Sequence, residues 1–122
     1  MRRVLFLILT MLSFSTSAAW TEVPTDDEGV TTYIDLSTIR EDGIKRTFWL
    51  RHDFEKPFGS FYSARTKMSL DCVQETLTTL SRDVFTEPAL KGVPTNTRPP
   101  TGVQHIAPNT TGAIFLAVAC YK

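Results

Sequence analysis

Cys72 and Cys120 are the only cysteines of this 122-residue chain, and His52 and His105 are its only histidines. Redox, metal-binding and proton-transfer chemistry near neutral pH most often runs through these two residue types. None of the four stands in a spacing that such chemistry uses: the histidines fall in no metal-ligand pattern, no nucleophile motif and no glycine-rich phosphate loop. His52 does precede Asp53, but neighbouring residues of a strand point to opposite faces and cannot easily serve one substrate atom. Redox-active cysteines usually lie close together as Cys-x-x-Cys, where the spacing tunes thiol acidity, and Cys72 is far from Cys120. Asn109-Thr110-Thr111 fits a glycosylation sequon, yet the same residues make a helix cap. The sequence therefore predicts neither an enzyme nor a bound cofactor or metal.

The compartment gives the cysteines their meaning. Residues 1–19 have the layout of a secretory signal: Arg2 and Arg3, an apolar run from Val4 to Phe14, then Ser15-Thr16-Ser17-Ala18-Ala19, with Ser17 and Ala19 suited to the small pockets of a signal peptidase. The apolar run is about eleven residues, against about twenty for a membrane-spanning helix, and Gly112 to Ala119 is shorter still. Cleavage after Ala19 is expected, giving an exported protein that does not span the membrane, in the periplasm or at the cell surface. Removing residues 1–19 takes away two arginines and no acid, leaving eleven Lys and Arg against thirteen Asp and Glu. That balance, without a basic run, offers no footprint for nucleic acid. Two cysteines in an oxidising compartment favour a structural disulfide between Cys72 and Cys120. On the chain-entropy model such a bond contributes about 4 kcal/mol.

What remains, residues 20–122, reads as one strand-rich domain. Trp20 to Val23 is a short strand, Pro24 to Gly29 a turn, and Val30 to Ile34 a second strand. Asp35 to Arg40 reads as one short helical turn capped by Asp35, and Asp42-Gly43 as a hairpin. Ile44 to Phe54 alternates, with Ile44, Phe48, Leu50 and Phe54 towards the core and Lys45, Thr47, Trp49, Arg51 and Asp53 away from it. After a turn at Glu55 to Ser60, Phe61 to Cys72 alternates too, putting Cys72 on the core side. Val73 to Glu75 turns into Thr76 to Thr86, which is β-prone but poorly patterned. Glu87 to Gln104, with Pro88, Pro94, Pro99 and Pro100, reads as a long loop or an edge excursion without a regular element of its own. Gly112 to Cys120 leaves helix and buried strand both open, and three alanines behind a capping signal favour a short helix on the open face of the sheet. Short turns between strands describe an antiparallel meander, whose two open edges leave room for a homodimer.

The best binding candidate is the outward face of the central hairpin. If its core faces match, pairs summing to about 114 lie opposite one another: Trp49 with Arg65, Thr47 with Lys67, Arg51 with Ser63. Lys45, Trp49, Arg51, Arg65 and Lys67 then form a basic, aromatic patch, the composition of protein-binding hot spots. The competing interpretation is a solvated face on which Arg65 stacks over Trp49. The Lys91 to Arg98 loop is a second candidate.

A series of landmarks links the whole domain: Trp20, Thr32-Tyr33-Ile34-Asp35-Leu36-Ser37-Thr38-Ile39, Asp42-Gly43, Phe48-Trp49-Leu50, Met68-Ser69-Leu70-Asp71-Cys72, Ala107-Pro108-Asn109-Thr110-Thr111-Gly112 and Ala119-Cys120. In this order they resemble the surface-adhesin protein E family of bacterial exported proteins. The resemblance implies an α+β fold: a curved antiparallel sheet of five to six strands, with a C-terminal helix held across its concave face by the Cys72–Cys120 bond. It also implies an adhesin that binds host extracellular-matrix proteins. Signal, patch and resemblance together give an exported, non-catalytic module for a protein ligand. The alternatives are a soluble periplasmic protein that maintains the envelope and a small-molecule carrier with a cavity between helix and sheet.

Overall fold

Alternating sequence becomes a single antiparallel sheet in the computed structural model, which describes residues 19–25 and 28–121. The leader assigned to residues 1–19 therefore lies, up to residue 18, outside the described residues. The strands are β1 (Trp20–Val23), β2 (Val30–Asp42), β3 (Lys45–Phe58), β4 (Phe61–Asp71), β5 (Thr76–Glu87), β6 (Lys91–Thr97) and β7 (Gln104–His105), followed by α1 (Thr111–Cys120). β1 to β6 lie side by side in chain order, and β7 pairs with β5. The sheet does not close, so β1 and the β6–β7 side are its edges.

The expected helical turn after Asp35 is instead a bulge within β2. Asp35 pairs with Trp49 and Arg40 with Thr47, so four residues stand opposite Phe48 alone. Asp35 does cap, as its type suggests, but what it caps is the bulge: its carboxylate accepts from the backbone N–H and the hydroxyl of Ser37. The Thr38 hydroxyl closes the gap in the ladder, donating to the Asp35 carbonyl at 2.7 Å and accepting from the Trp49 N–H at 3.1 Å. The insertion also changes parity, which lets Ile39 join Ile34 against the core.

The central hairpin has the expected faces but a register displaced by two. Trp49 lies opposite Lys67, Arg51 opposite Arg65 and Thr47 opposite Ser69. The cause is that β3 runs on to Phe58: the turn is the tight Gly59–Ser60 pair, and residues 54–57 bulge opposite Tyr62. Gly43 and Gly59 open the two hairpin turns at φ of 59° and 65°, the positive values that a glycine-first turn requires. Ile44, expected in the core, sits in the first of these turns and is 51% exposed. In β5, Leu80 is one extra residue between the Lys67–Ser81 and Met68–Thr79 pairs. That bulge turns Leu77 and Val84 to the same face and explains the weak pattern of Thr76 to Thr86.

The segment Glu87 to Gln104 is not a bare loop. A 3-10 turn at Pro88–Leu90 leads to β6, and β7 then continues along the same edge of β5 after an excursion that holds Pro99 and Pro100. Pro94 is tolerated because β6 is an edge strand with no partner beyond it.

The core lies between the sheet and α1. Phe48 and Leu70 are almost wholly buried, and Ile34, Leu50 and Met68 surround them. Phe115, Leu116 and Ala119 of α1 complete the cluster, with the Phe115 ring 5.6 Å from that of Phe48. Each large apolar side chain buried here contributes about 1.5–3 kcal/mol. Thr110 caps the helix by accepting from the Ala113 N–H at 3.3 Å. At its other end Cys120 is bonded to Cys72, with a Cα–Cα distance of 5.8 Å. Cys72 is held in turn by its own N–H, which donates to the Ile44 carbonyl at 2.9 Å.

Replacing Cys72 and Cys120 together with serine should lower stability by about 2–4 kcal/mol. Hydrogen exchange should show α1 losing protection before β3 and β4. Simultaneous loss across the sheet would mean that the bond does not serve α1 in particular.

Candidate functional site

Because side chains alternate, the face turned away from α1 carries rows that cross the sheet. One row runs through Glu22, Tyr33, Arg51, Arg65, Asp83 and Asn96, one residue from each of six strands. The next runs through Trp20, Asp35, Trp49, Lys67 and Ser81. Neighbours in a row are about 5 Å apart, close enough for their side chains to interact.

The contacts in these rows are charged and aromatic. The Arg51 guanidinium stacks 4.4 Å from the Tyr33 ring centre and pairs with Asp53 on its own strand through two hydrogen bonds, one of them Nε to Oδ1 at 3.0 Å. The Arg65 guanidinium lies 4.9 Å from the Trp49 ring and donates to Asp83 at 2.9 Å. Lys67 also approaches Trp49, its Nζ 5.9 Å from the ring centre. Asn96 donates to the second Asp83 oxygen at 3.0 Å. The hydrogen bond from Asn96, then that from Arg65, holds the Asp83 carboxyl below the usual aspartate value. The Asp53 hydrogen bond raises the Arg51 pKa above its ordinary value.

Of the five residues expected in a patch, four meet: Trp49, Arg51, Arg65 and Lys67. Trp49 is partly exposed and flanked by Arg65 and Lys67. Lys45 shares the face but lies opposite Asp71 at the far end of the hairpin. Arg51 and Arg65 are neighbours in the row, but each is matched by a carboxylate, Asp53 or Asp83, so the surface is not uniformly basic. Lys67 makes no ion pair among the described residues. Tyr33 and Asp83 were not singled out from sequence; Asp53 was assigned to this face but not to the patch, and Asn96 falls within the Lys91 to Arg98 segment expected as a second candidate. Tyr33 was within reach, since it shares parity with Thr31 and Asp35. Asp83 was hidden by the Leu80 bulge, and the pairing of Asn96 with it by the prolines that argued against a strand there.

At the far end of this face the 3-10 turn folds over Ser63, whose hydroxyl donates to the Glu87 carbonyl at 2.6 Å and accepts from the Leu90 N–H at 3.0 Å. His52 belongs to the opposite face, in the middle of β3, and His105 to the β7 edge. Among the described residues no cluster of three or more His, Cys, Asp or Glu side chains is placed to hold a metal. None of their helices is long and apolar enough to cross a membrane.

A family model described as surface-adhesin protein E matches residues 20–121. The fold is similar to that of Haemophilus influenzae protein E in crystal form II, with a TM-score of 0.66 and 20% identity over 85% of this chain and 97% of that one. The selenomethionine form of the same protein gives a TM-score of 0.66 and 19% identity over 84% and 95%. Protein E from non-typeable Haemophilus influenzae gives 0.61 and 19% over 79% and 75%. At such identities the likeness speaks for the fold. No curated protein matches the chain in sequence.

The lowered Asp83 pKa ties part of the stability to pH. A carboxyl whose folded pKa lies below its unfolded value stabilises the fold in full above the ordinary value of 3.8, and that contribution is lost as pH falls through the folded pKa. Asp83→Asn should therefore cost up to about 1 kcal/mol near neutrality, as for a partly exposed ion pair. Its stability should also fall less steeply than the parent's below about pH 4. Urea titrations at several pH values measure both, and parallel profiles would remove Asp83 from the account.

Proposed function

The chain belongs to the surface-adhesin protein E family, and from that membership we propose an exported, non-catalytic domain that engages a protein ligand through two adjacent rows, Tyr33, Arg51 and Arg65 in one and Trp49 and Lys67 in the other. The ligand class is host extracellular-matrix protein, met at the cell surface. One observation carries the proposal: a partly exposed tryptophan approached by two cations, beside a second arginine–aromatic stack, on the face that α1 does not cover. Tryptophan, tyrosine and arginine dominate the residues whose truncation costs most at protein interfaces. Pairing of the arginines with Asp53 and Asp83 suits the surface to a partner with charges of both signs. The same pairs hold the side chains in place before the partner arrives, which lowers the ordering cost of binding.

Replacing Trp49 and Arg65 together with alanine should weaken capture of immobilised matrix protein at least tenfold, with the circular dichroism of the fold retained. Lys67→Glu should weaken it by a smaller factor and change its salt dependence. Capture equal to the parent's in the double variant would dismiss this face. Protease treatment of intact cells addresses location separately, since a protein that stays in the periplasm is protected.

A further inference from the structure

The face beneath α1 is only partly covered by it, and the uncovered part is not simply apolar. Ile34, Leu50, Thr66, Arg82 and Thr97 form a row across β2 to β6 on this side. Two neighbours in that row hold polar atoms that are buried and have no hydrogen-bond partner: Thr66 Oγ1 and Arg82 Nε. Thr66 is 1% exposed, and among the described residues Arg82 makes no ion pair. Native structures satisfy such atoms with protein, water or ligand.

A cavity of about 280 Å³ opens onto both residues, and the first turn of α1, at Thr111 and Gly112, forms part of its wall. Arg82 and His52 also border a second hollow of about 610 Å³ on this same face, lined by Phe54, Phe58, Phe61 and Val84 and by no residue of α1. The two hollows share Arg82 and His52 as lining residues, and the second is the more apolar. Nε–H is a donor only, the Thr66 hydroxyl donates as well, the guanidinium is positive, and a helix N-terminus favours negative charge. All four features call for an anionic acceptor, while the hollow beside them calls for an apolar body. The second hollow by itself falls in the volume range of small-molecule sites.

We propose that this face binds a small organic anion, its carboxylate on Arg82 and Thr66 and its apolar body against Phe54, Phe58 and Phe61. The site is on the opposite side of the sheet from the Trp49 face and does not depend on what that face binds.

The test uses decanoate as the probe, titrated into the isotope-labelled exported protein and followed by amide chemical shifts. Saturable shifts at submillimolar decanoate, centred on Thr66, Arg82 and Phe54, are expected. Arg82→Gln should weaken binding at least tenfold. Thr66→Val should weaken it severalfold while leaving the melting temperature equal or higher, because it removes an unpartnered hydroxyl. Inorganic phosphate should not displace the probe at equal concentration. A flat titration would mean that water alone satisfies the two atoms, and would overturn the proposal. Undiminished binding by Arg82→Gln would overturn the carboxylate site, and displacement by phosphate would overturn the apolar seat. If Arg82→Gln does not fold, the parent titration and Thr66→Val still decide.

Discussion

One ten-residue helix has to cover a face six strands wide. At about 1.5 Å per residue the helix is about 15 Å long, whereas six strands about 4.8 Å apart span about 24 Å between the outer two. The apolar side chains gather under the helix accordingly, in Ile34, Phe48, Leu50, Met68 and Leu70. Beyond it the same face turns to Thr66, Arg82 and the hollow around Phe54. A helix this short is marginal by itself, and its sequence, nearly apolar all round, gives little preference for one rotation over another. Ala117 is exposed, and Ile114 and Val118 are only partly covered. The bond from Cys120 to Cys72 at one end and the Thr110 cap at the other fix what the hydrophobic pattern leaves loose.

The opposite face has no second layer and is kept ordered by many weak contacts. A cation stacked on an aromatic ring in an exposed setting is worth about 0.5–1 kcal/mol, and a surface ion pair is worth no more. Each of these contacts joins residues that the strand register already brings together, so little additional ordering is needed to form them. Arg65 shows this best, since Trp49, Lys67 and Asp83 all lie within one row of it on adjacent strands or its own. The displaced register thus kept the expected Arg65–Trp49 stack, because a shift of two preserves the face and turns a direct neighbour into a diagonal one.

That distinction explains what the sequence made legible. Face assignment survived wherever alternation was unbroken, at Phe48 to Asp53 and at Ala64 to Leu70, and with it four of the five patch residues. The cysteine pairing followed from parity and compartment and did not need a register. Most of the errors lie where the chain inserts residues. The bulge after Asp35 satisfies its backbone with the Thr38 hydroxyl, a local solution with the same Asx and Ser/Thr residues that start helices. Leu80 and residues 54–57 are further insertions that period-two arguments cannot anticipate. β6 was missed because prolines argue against a strand, although an edge strand with an unpaired outer side accepts them.

The insertions have a positive side. They stand at the margins of a regular block made of Val30 to Asp35, Thr47 to Asp53, Ser63 to Lys67 and Ser81 to Phe85. Within that block successive residues serve opposite faces: Arg51 then His52, Arg65 then Thr66, Arg82 then Asp83. A slip of one residue in any of these strands would bury its share of the charged row and expose its share of the core. Bulges flanking the block resist such a slip, since each fits only one pairing: Thr38 must meet the Trp49 N–H, and Leu80 must stand out between Ser81 and Thr79. The irregular positions thereby fix the register on which both faces depend, and so account for how a thin sheet with one small helix can present two chemically distinct surfaces.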